Sequence, residues 1–497
     1  MDSEEASPDV VLIIPPPEAS ARLEDLGEHL GSAYMAAVLR QRGHRVTIID
    51  ALAEGLSSRA TLERVEAEAR PLHRKSIRGI DVRGRGAVAE SKKEEGDRFP
   101  FARPRLVLGI SIPFSNMIRP AISIARALRA LFGKEALLTM GGHIPTLAPD
   151  HIFKDCPQID FIVSGEGEFT LLEILEKIKA GRDWRDTPGV VLSNSPRTSV
   201  PRPNRAECGL SGESGAGTFV PRPLISSLDD LPFPARDTLP AYQRRKAIPR
   251  MLGSRGCYGN CSFCSVNAFY RSAPGPRWRG RSPQSIAEEM ERLSKDYGVR
   301  EVMFSDDNFI GPGKMGKERA VAVAEEIMRR SIQMRFSIAC RANDIDRETF
   351  TVLKKAGLKG VFLGIESGVQ RALDSFNKGV TVEDNRRAAL LIRELGLDLI
   401  LGFIMFDPDT TLEEILENLQ FLRSIGIGAS TIFNRIGALN RLDAYEGTPM
   451  AERLREEGRL QGDYTGYRYR MRDPRAEFVY RTGLLAYKIH KAIKSLF

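Results

Sequence analysis

The chain is poor in cysteine, with six among its 497 residues, and it lacks any apolar run near the length that crosses a bilayer. Six thiols are too sparse for a disulfide framework in so long a chain. A membrane span is not expected either. The opening MDSEEASPDV is acidic and leads straight into a strand-like run, the reverse of the basic-then-apolar layout of a secretory leader. Basic patches interleaved with aromatics are also missing. The net charge is +8, but Lys and Arg are scattered among nearly as many acids, so nucleic acid is not expected as a partner. The densest basic stretches, His73–Arg85 and Arg468–Arg475, read as solvated loops. No G-x-G-x-x-G follows the first strand-like run, which weakens a dinucleotide reading. These absences point to a cytoplasmic protein.

What is present is ordinary globular material. The apolar fraction is 42% and the charged fraction 28%, and the length predicts two or three domains of roughly 100–250 residues. Strand and helix signals alternate from the start: Val10–Ile14, a helix over Leu30–Arg42, Val46–Ile49, then a polar insertion from about Arg74 to Arg98. The pattern resumes with Leu106–Ile112, a helix near Pro120–Leu131, the strand Ala136–Met140, and Phe161–Val163 before a helix from Thr170 to Lys179. This βα grammar predicts an open, mostly parallel sheet flanked by helices.

A Ser/Gly/Pro/Asn/Arg-rich stretch from Ser193 to Arg222 reads as a linker, followed by a second boundary at Leu231–Arg236. A second βα series comes next. Its strands are expected near Val302–Ser305, Arg335–Ala339, Gly360–Gly364, Leu399–Ile404 and Ala429–Phe433, with helices such as Pro283–Lys295 and Lys317–Ser331 between them. From about Gly458 the tail is rich in Arg, Tyr and Lys and ends in a helix-like stretch.

Three of the six cysteines crowd into Cys257-Tyr258-Gly259-Asn260-Cys261-Ser262-Phe263-Cys264, a C-x3-C-x2-C spacing. Three thiolates on one loop can hold three irons of a cubane and leave the fourth without a protein ligand. Structural zinc asks for four ligands, and no second pair follows downstream. Cys156, Cys208 and Cys340 have no close partner in sequence and read as ordinary thiols.

This spacing, with an aromatic just before the third cysteine, resembles the signature of the radical S-adenosylmethionine (radical SAM) enzymes. The resemblance implies a [4Fe–4S] cluster on Cys257, Cys261 and Cys264, whose open iron binds SAM and whose electron cleaves it to a 5′-deoxyadenosyl radical. It places Phe263 beside the adenine. It also places Asp306, Arg341 and Glu366 against SAM, although Ser305-Asp306-Asp307-Asn308 stands where the family usually has Gly-Gly-Glu. Tyr445 and Glu446, after the last barrel strand, are candidates for substrate contact, or a plain loop turn. Asp407-Pro408-Asp409 replaces the family's P-G-E turn, and Thr410 or Thr411 can cap the helix that starts near Leu412.

The first half resembles the cobalamin-binding domain of cobalamin-dependent radical SAM enzymes, on phrases such as Leu26-Gly27, Tyr34, Leu39-Arg40, Gly43-His44 and Gly109-Ile110-Ser111. An open sheet binds ligands beyond the C-terminal ends of its strands. The resemblance therefore assigns Ser111, Asn116, Gly141, Gly142, Glu166 and Gly167 to cobalamin. The D-x-H-x-x-G element is absent, so no protein histidine is expected on cobalt; His143 is the one histidine at a candidate strand end. The implied layout is a Rossmann-like cobalamin domain at 1–190, a linker at 191–245, a partial (β/α)6 TIM-like barrel at 246–455 and a helical region at 456–497.

The implied activity is methylation of an unactivated carbon, or phosphorus, of a small-molecule or peptide substrate, with an electron donor such as flavodoxin or ferredoxin. A radical rearrangement, cyclisation or oxidation without methyl transfer stays open. So does an iron–sulfur redox-sensing module.

Overall fold

The computed structural model describes residues 8–18, 27–77, 104–193, 219–428 and 439–494, with backbone alone at 71–77 and 488–494. They fall into two units. The first comprises 1–225, 231–247 and 272–274, the second 226–230, 248–271 and 275–497.

The first unit is built on strands β1 (Asp9–Ile14), β2 (Val46–Asp50), β3 (Leu106–Ser111), β4 (Ala136–Gly141), β5 (Phe161–Val163) and β6 (Val190–Val191), in the order β2-β1-β3-β4-β5-β6. All pairs are parallel except β5–β6. The near-continuous apolar runs of β1 and β3 are buried on both faces, as a helix-covered parallel sheet requires. The order reverses at β1/β3, the topological switch where such sheets bind ligands. There the backbone N–H of Glu18 donates to Asn116 O at 2.9 Å.

One expectation changes in this unit. His73–Ile77 is the end of a helix, Ser58–Ile77, rather than a loop, while residues 78–103 lie outside the described residues. Residues 219–225 and 231–245 of the expected 191–245 linker group with the first unit. The Tyr242 hydroxyl donates to Asp50 Oδ2 at 2.9 Å, and Arg236 pairs with Glu28 at 2.9 Å with both side chains almost fully buried.

The second unit holds β7 (Arg250–Met251), β8 (Ser254–Arg255), β9 (Arg279–Gly280), β10 (Glu301–Phe304), β11 (Arg335–Arg341), β12 (Leu358–Glu366) and β13 (Asp398–Phe403). Five of these form an open sheet, β13-β12-β11-β10-β7, and β8 pairs with β9 in a short antiparallel ribbon. The strands of the sheet run parallel. The strand expected at Ala429–Phe433 lies outside the described residues. Local chemistry starts and stops the helices: Ser282 caps Pro283–Tyr297, which ends on the left-handed Gly298. Thr411, not Thr410, caps Leu412–Ser424, in a capping box with Glu414.

The tail ends in the helix Pro474–Lys494. Arg468–Arg475 is not merely solvated: Arg475 pairs with Glu413 and Asp473, and Tyr469 is buried under the Arg441 guanidinium.

Candidate functional site

The three thiols lie on the loop that leaves the β8–β9 ribbon, and neighbouring elements fix that loop closely. Gly256 adopts φ 79°, and a Cβ there would lie 1.8 Å from Arg277 O, so the turn into Cys257 needs glycine. Ser262 N donates to Phe376 O and Ser262 Oγ to Ser375 O, both at 2.8 Å. Asn377 Nδ2 donates to Asn260 O at 3.0 Å, and Met450 N to Ser262 O at 2.9 Å. Phe263 packs edge-on to the buried Phe376, with ring centroids 5.2 Å apart. The loop is thus stapled to the segment that follows β12.

Strand ends bring the charged groups to this loop. Asp306, just past β10, accepts from Gly253 N at 2.9 Å and from the Ser254 hydroxyl, so both of its oxygens hold the backbone that leads into the thiol loop. Burial pushes its carboxyl up to about 6 against those hydrogen bonds. Asp307 accepts from Gly256 N at 3.2 Å.

Arg341 closes β11 and is 7% exposed. Its Nη1 lies 3.3 Å from Cys261 Sγ, its Nη2 donates to Lys378 O, and its Nε is buried without a partner. Glu366 ends β12 at φ 66°, where the register with β13 shifts. A non-glycine residue in that region is strained and marks a site where conformation is imposed by surroundings. Its Oε1 accepts from Lys378 Nζ at 2.7 Å.

Phe263, Arg341 and Glu366 therefore converge on the segment 376–378, and Asp306 braces the loop from the other side. Reading the sequence did not find Lys378, Asp344 or Tyr258 as parts of this arrangement. Asp344 takes the Tyr258 hydroxyl, Asn308 Nδ2 at 2.7 Å and Arg341 N at 3.0 Å. Only the proximity of Tyr258 to two cysteines could have flagged any of the three. Burial, with Asp443 and then the charge of Cys264 adding to it, pushes the Tyr445 phenol up to about 12. Glu446 is engaged elsewhere, by Arg455 at 2.8 Å and by the Tyr467 hydroxyl.

The donor set suits a cubane. Cys261 is 7% exposed, and Gly259 N donates to Cys257 Sγ at 3.3 Å. Burial pushes the Cys257 thiol up and the Cys264 thiol to about 12, so metal binding must displace their protons. Among the described residues no three His, Cys, Asp or Glu side chains close around one ion. A cubane instead spreads three thiolates over three irons.

In the first unit the other predicted residues share one sheet edge. Ser111 and Gly141 are register partners at the ends of β3 and β4, and Gly142 follows at φ 107° with Ile112 O 2.8 Å from where its Cβ would be. Glu166 accepts from Ile225 N at 2.7 Å. A Cβ on Gly167 would meet Met35. Asn116 Oδ1 is buried without a partner. His29, which sequence reading missed, caps the helix Leu30–Gln41 and sits 3.4 Å from Ser111 Oγ. Burial holds His29 and His143 down to about 4, and the charge of His143 adds to the effect on His29. Both are neutral near pH 7.

Residues 251–422 match the family model of the Radical SAM superfamily. The chain is 28% identical over 423 residues to an uncharacterized methyltransferase of Pyrococcus horikoshii, covering 84% of this chain and 78% of that one. It is 27% identical over 436 residues to cytidylyl-2-hydroxyethylphosphonate methyltransferase of Streptomyces wedmorensis (81% and 74%). Against an anaerobic magnesium-protoporphyrin IX monomethyl ester cyclase of Rubrivivax gelatinosus it is 28% identical over 301 residues (58% and 49%). Among solved structures, the cobalamin-dependent S-adenosylmethionine radical enzyme OxsB with aqua-cobalamin and S-adenosylmethionine bound matches with a TM-score of 0.72 at 20% identity. That match covers 96% of this chain and 66% of the other, so the two share a fold across nearly all of this sequence. The segment that matches the Radical SAM superfamily model, residues 251–422, carries all three thiols and the strand ends that meet them, and so forms a Radical SAM domain.

Proposed function

We propose that this chain is a cobalamin-dependent radical SAM enzyme that methylates an unactivated carbon, or phosphorus, of a biosynthetic intermediate. The observation that carries the reading is the thiol loop, pinned at both ends and faced by a buried arginine and a strained, lysine-paired glutamate. Cys257, Cys261 and Cys264 would hold a [4Fe–4S] cluster. Phe263, Arg341 and Glu366 would face SAM, with Asp306 holding the backbone of the loop from behind.

The polar atoms at the sheet edge of the first unit support placing cobalamin there. Ser111 and the unpartnered Asn116 side-chain carbonyl offer polar atoms, and the neutral His29 and His143 lie alongside. Ser111, Asn116, Gly141, Gly142, Glu166 and Gly167 would cradle cobalamin there. When bound, the cluster supplies the electron that cleaves SAM and cobalamin the methyl group. The chain's own residues bind, orient and keep water from the radical.

Relatives named as methyltransferases support methyl transfer. A cyclase among them supports ring closure at the same site as the second reading. Tyr445 is the candidate for substrate contact, and a flavodoxin- or ferredoxin-type protein the candidate electron donor. The test is anaerobic: the reconstituted protein is incubated with SAM, reductant and cobalamin, and products are weighed by mass spectrometry. Release of 5′-deoxyadenosine with a one-methyl mass gain on a co-substrate is the expected result. 5′-Deoxyadenosine with no methyl gain decides for the second reading, and no cobalamin uptake overturns the first.

A further inference from the structure

Arg341 is held against the thiol loop on three sides. Nη1 lies 3.3 Å from Cys261 Sγ, and Nη2 donates to the carbonyl of Lys378. The guanidinium lies over the Tyr258 ring, 5.5 Å from its centroid. Tyr258 is itself tied by its hydroxyl to Asp344, whose other oxygen takes Arg341 N at 3.0 Å. Space for Nη1 exists because residue 259 has no side chain: a Cβ there would lie 2.3 Å from it. Arg341 is 7% exposed. An arginine that served only as a carboxylate receptor would not need its fork spanned between a cysteine sulfur and a fixed carbonyl.

We propose that Arg341 sets the reduction potential of the cluster by holding a fixed positive charge and an N–H donor against the Cys261 sulfur, with Tyr258, Gly259 and Lys378 as its positioning residues. The inference rests on the cluster assigned above. One-electron reduction adds a negative charge to a core already carrying three thiolates, so a cation and a donor at a ligand sulfur stabilise the reduced form more than the oxidised form. Solvent ions screen so buried a charge poorly. Arg341 therefore raises the potential and eases entry of the electron. Lysine replaces it only in part, because an ammonium is a point charge that does not span two acceptors in a planar fork.

The test uses the full chain, reconstituted with iron and sulfide and without SAM, with the reduced cluster followed by electron paramagnetic resonance over a series of poised potentials. Arg341→Met is expected to lower the reduced-to-oxidised ratio at fixed potential about tenfold, which is ~59 mV for a one-electron couple. Arg341→Lys is expected to fall between it and the unaltered protein. Gly259→Ala keeps the charge but pushes the flexible guanidinium off the sulfur, and it is expected to lower the potential in the same direction. If Arg341→Met takes up no cluster, Gly259→Ala decides alone. An unaltered potential in Gly259→Ala, or in Arg341→Met with full cluster content, overturns the proposal. Absence of any cubane signal in the unaltered protein would defeat the functional reading instead.

Discussion

Lys378 Nζ lies 2.7 Å from Glu366 Oε1, with the two side chains 4% and 15% exposed, while the Glu366 backbone sits at φ 66°. A buried pair of this kind is costly to break from one side, because the partner left behind is a desolvated charge. Glu366→Ala is therefore expected to destabilise the second unit by about 3–5 kcal/mol, besides weakening SAM binding. Glu366→Gln keeps an acceptor for Lys378 and is expected to lose less. The double variant Glu366→Ala/Lys378→Met should recover much of the stability without recovering SAM affinity. Urea titrations beside SAM-binding isotherms check this; a double variant no more stable than Glu366→Ala removes the pair from the account.

Single alanine replacements of Cys257, Cys261 and Cys264 are each expected to abolish the visible iron–sulfur absorbance and SAM cleavage together, since three thiolates are the minimum scaffold. Cys156 and Cys340 are buried in the cores of their units. Their alanine variants are expected to lose some stability while keeping cluster and cleavage. Iron and sulfide analysis of the five purified proteins checks this, and a complete cluster in Cys261→Ala would count against the assignment.

Most strands were legible because a buried parallel strand is a continuous apolar run, and Val10–Ile14, Leu106–Ile112 and Phe161–Val163 are such runs. The short ribbon β8–β9 was not legible, because Ser254–Arg255 and Arg279–Gly280 carry no period and are set by the turn at Gly256. The thiols could be read from spacing alone. Lys378 could not, since its role depends on a left-handed backbone at Glu366 twelve residues away, and no local pattern encodes that. Asp306 was found as a residue, but its engagement with Gly253 and Ser254 arises from strand order, which only the fold supplies.

Asp50, 1% exposed at the end of β2, accepts from Leu52 N and Ala53 N at 3.0 Å and from the Tyr242 hydroxyl at 2.9 Å. Burial outweighs these donors and, with Glu54 adding to it, pushes the carboxyl up to about 6. The folded acid thus holds its proton more tightly than the unfolded one. Well below pH 4, by about pH 2, neither state is ionised and the group costs nothing. As pH rises from there through 6 the unfolded chain gains the advantage, approaching about 3 kcal/mol. Between pH 5 and 7.5 the first unit is expected to lose roughly 1–2 kcal/mol from this group, a loss that Asp50→Asn should not show. Urea unfolding of both proteins at the two pH values checks the sign, and parallel slopes would contradict it.

Asn116 offers a test of the sheet edge that separates binding from folding. Its Oδ1 is buried with no partner, a condition that costs about 1–3 kcal/mol when nothing fills it. A residue present only for the fold would not leave such an atom open at the β1/β3 switch, where the backbone already joins Glu18 to Asn116. Asn116→Ala removes the orphan, so the cobalamin-free protein is expected to be as stable as the unaltered one or more so. Corrin uptake should weaken about tenfold, the worth of one hydrogen bond in a desolvated place. Thermal unfolding without cobalamin and equilibrium titration with it give the two readings on one preparation. If Asn116→Ala lowers the melting temperature and leaves corrin uptake unchanged, the residue is a structural one and the edge binds without it.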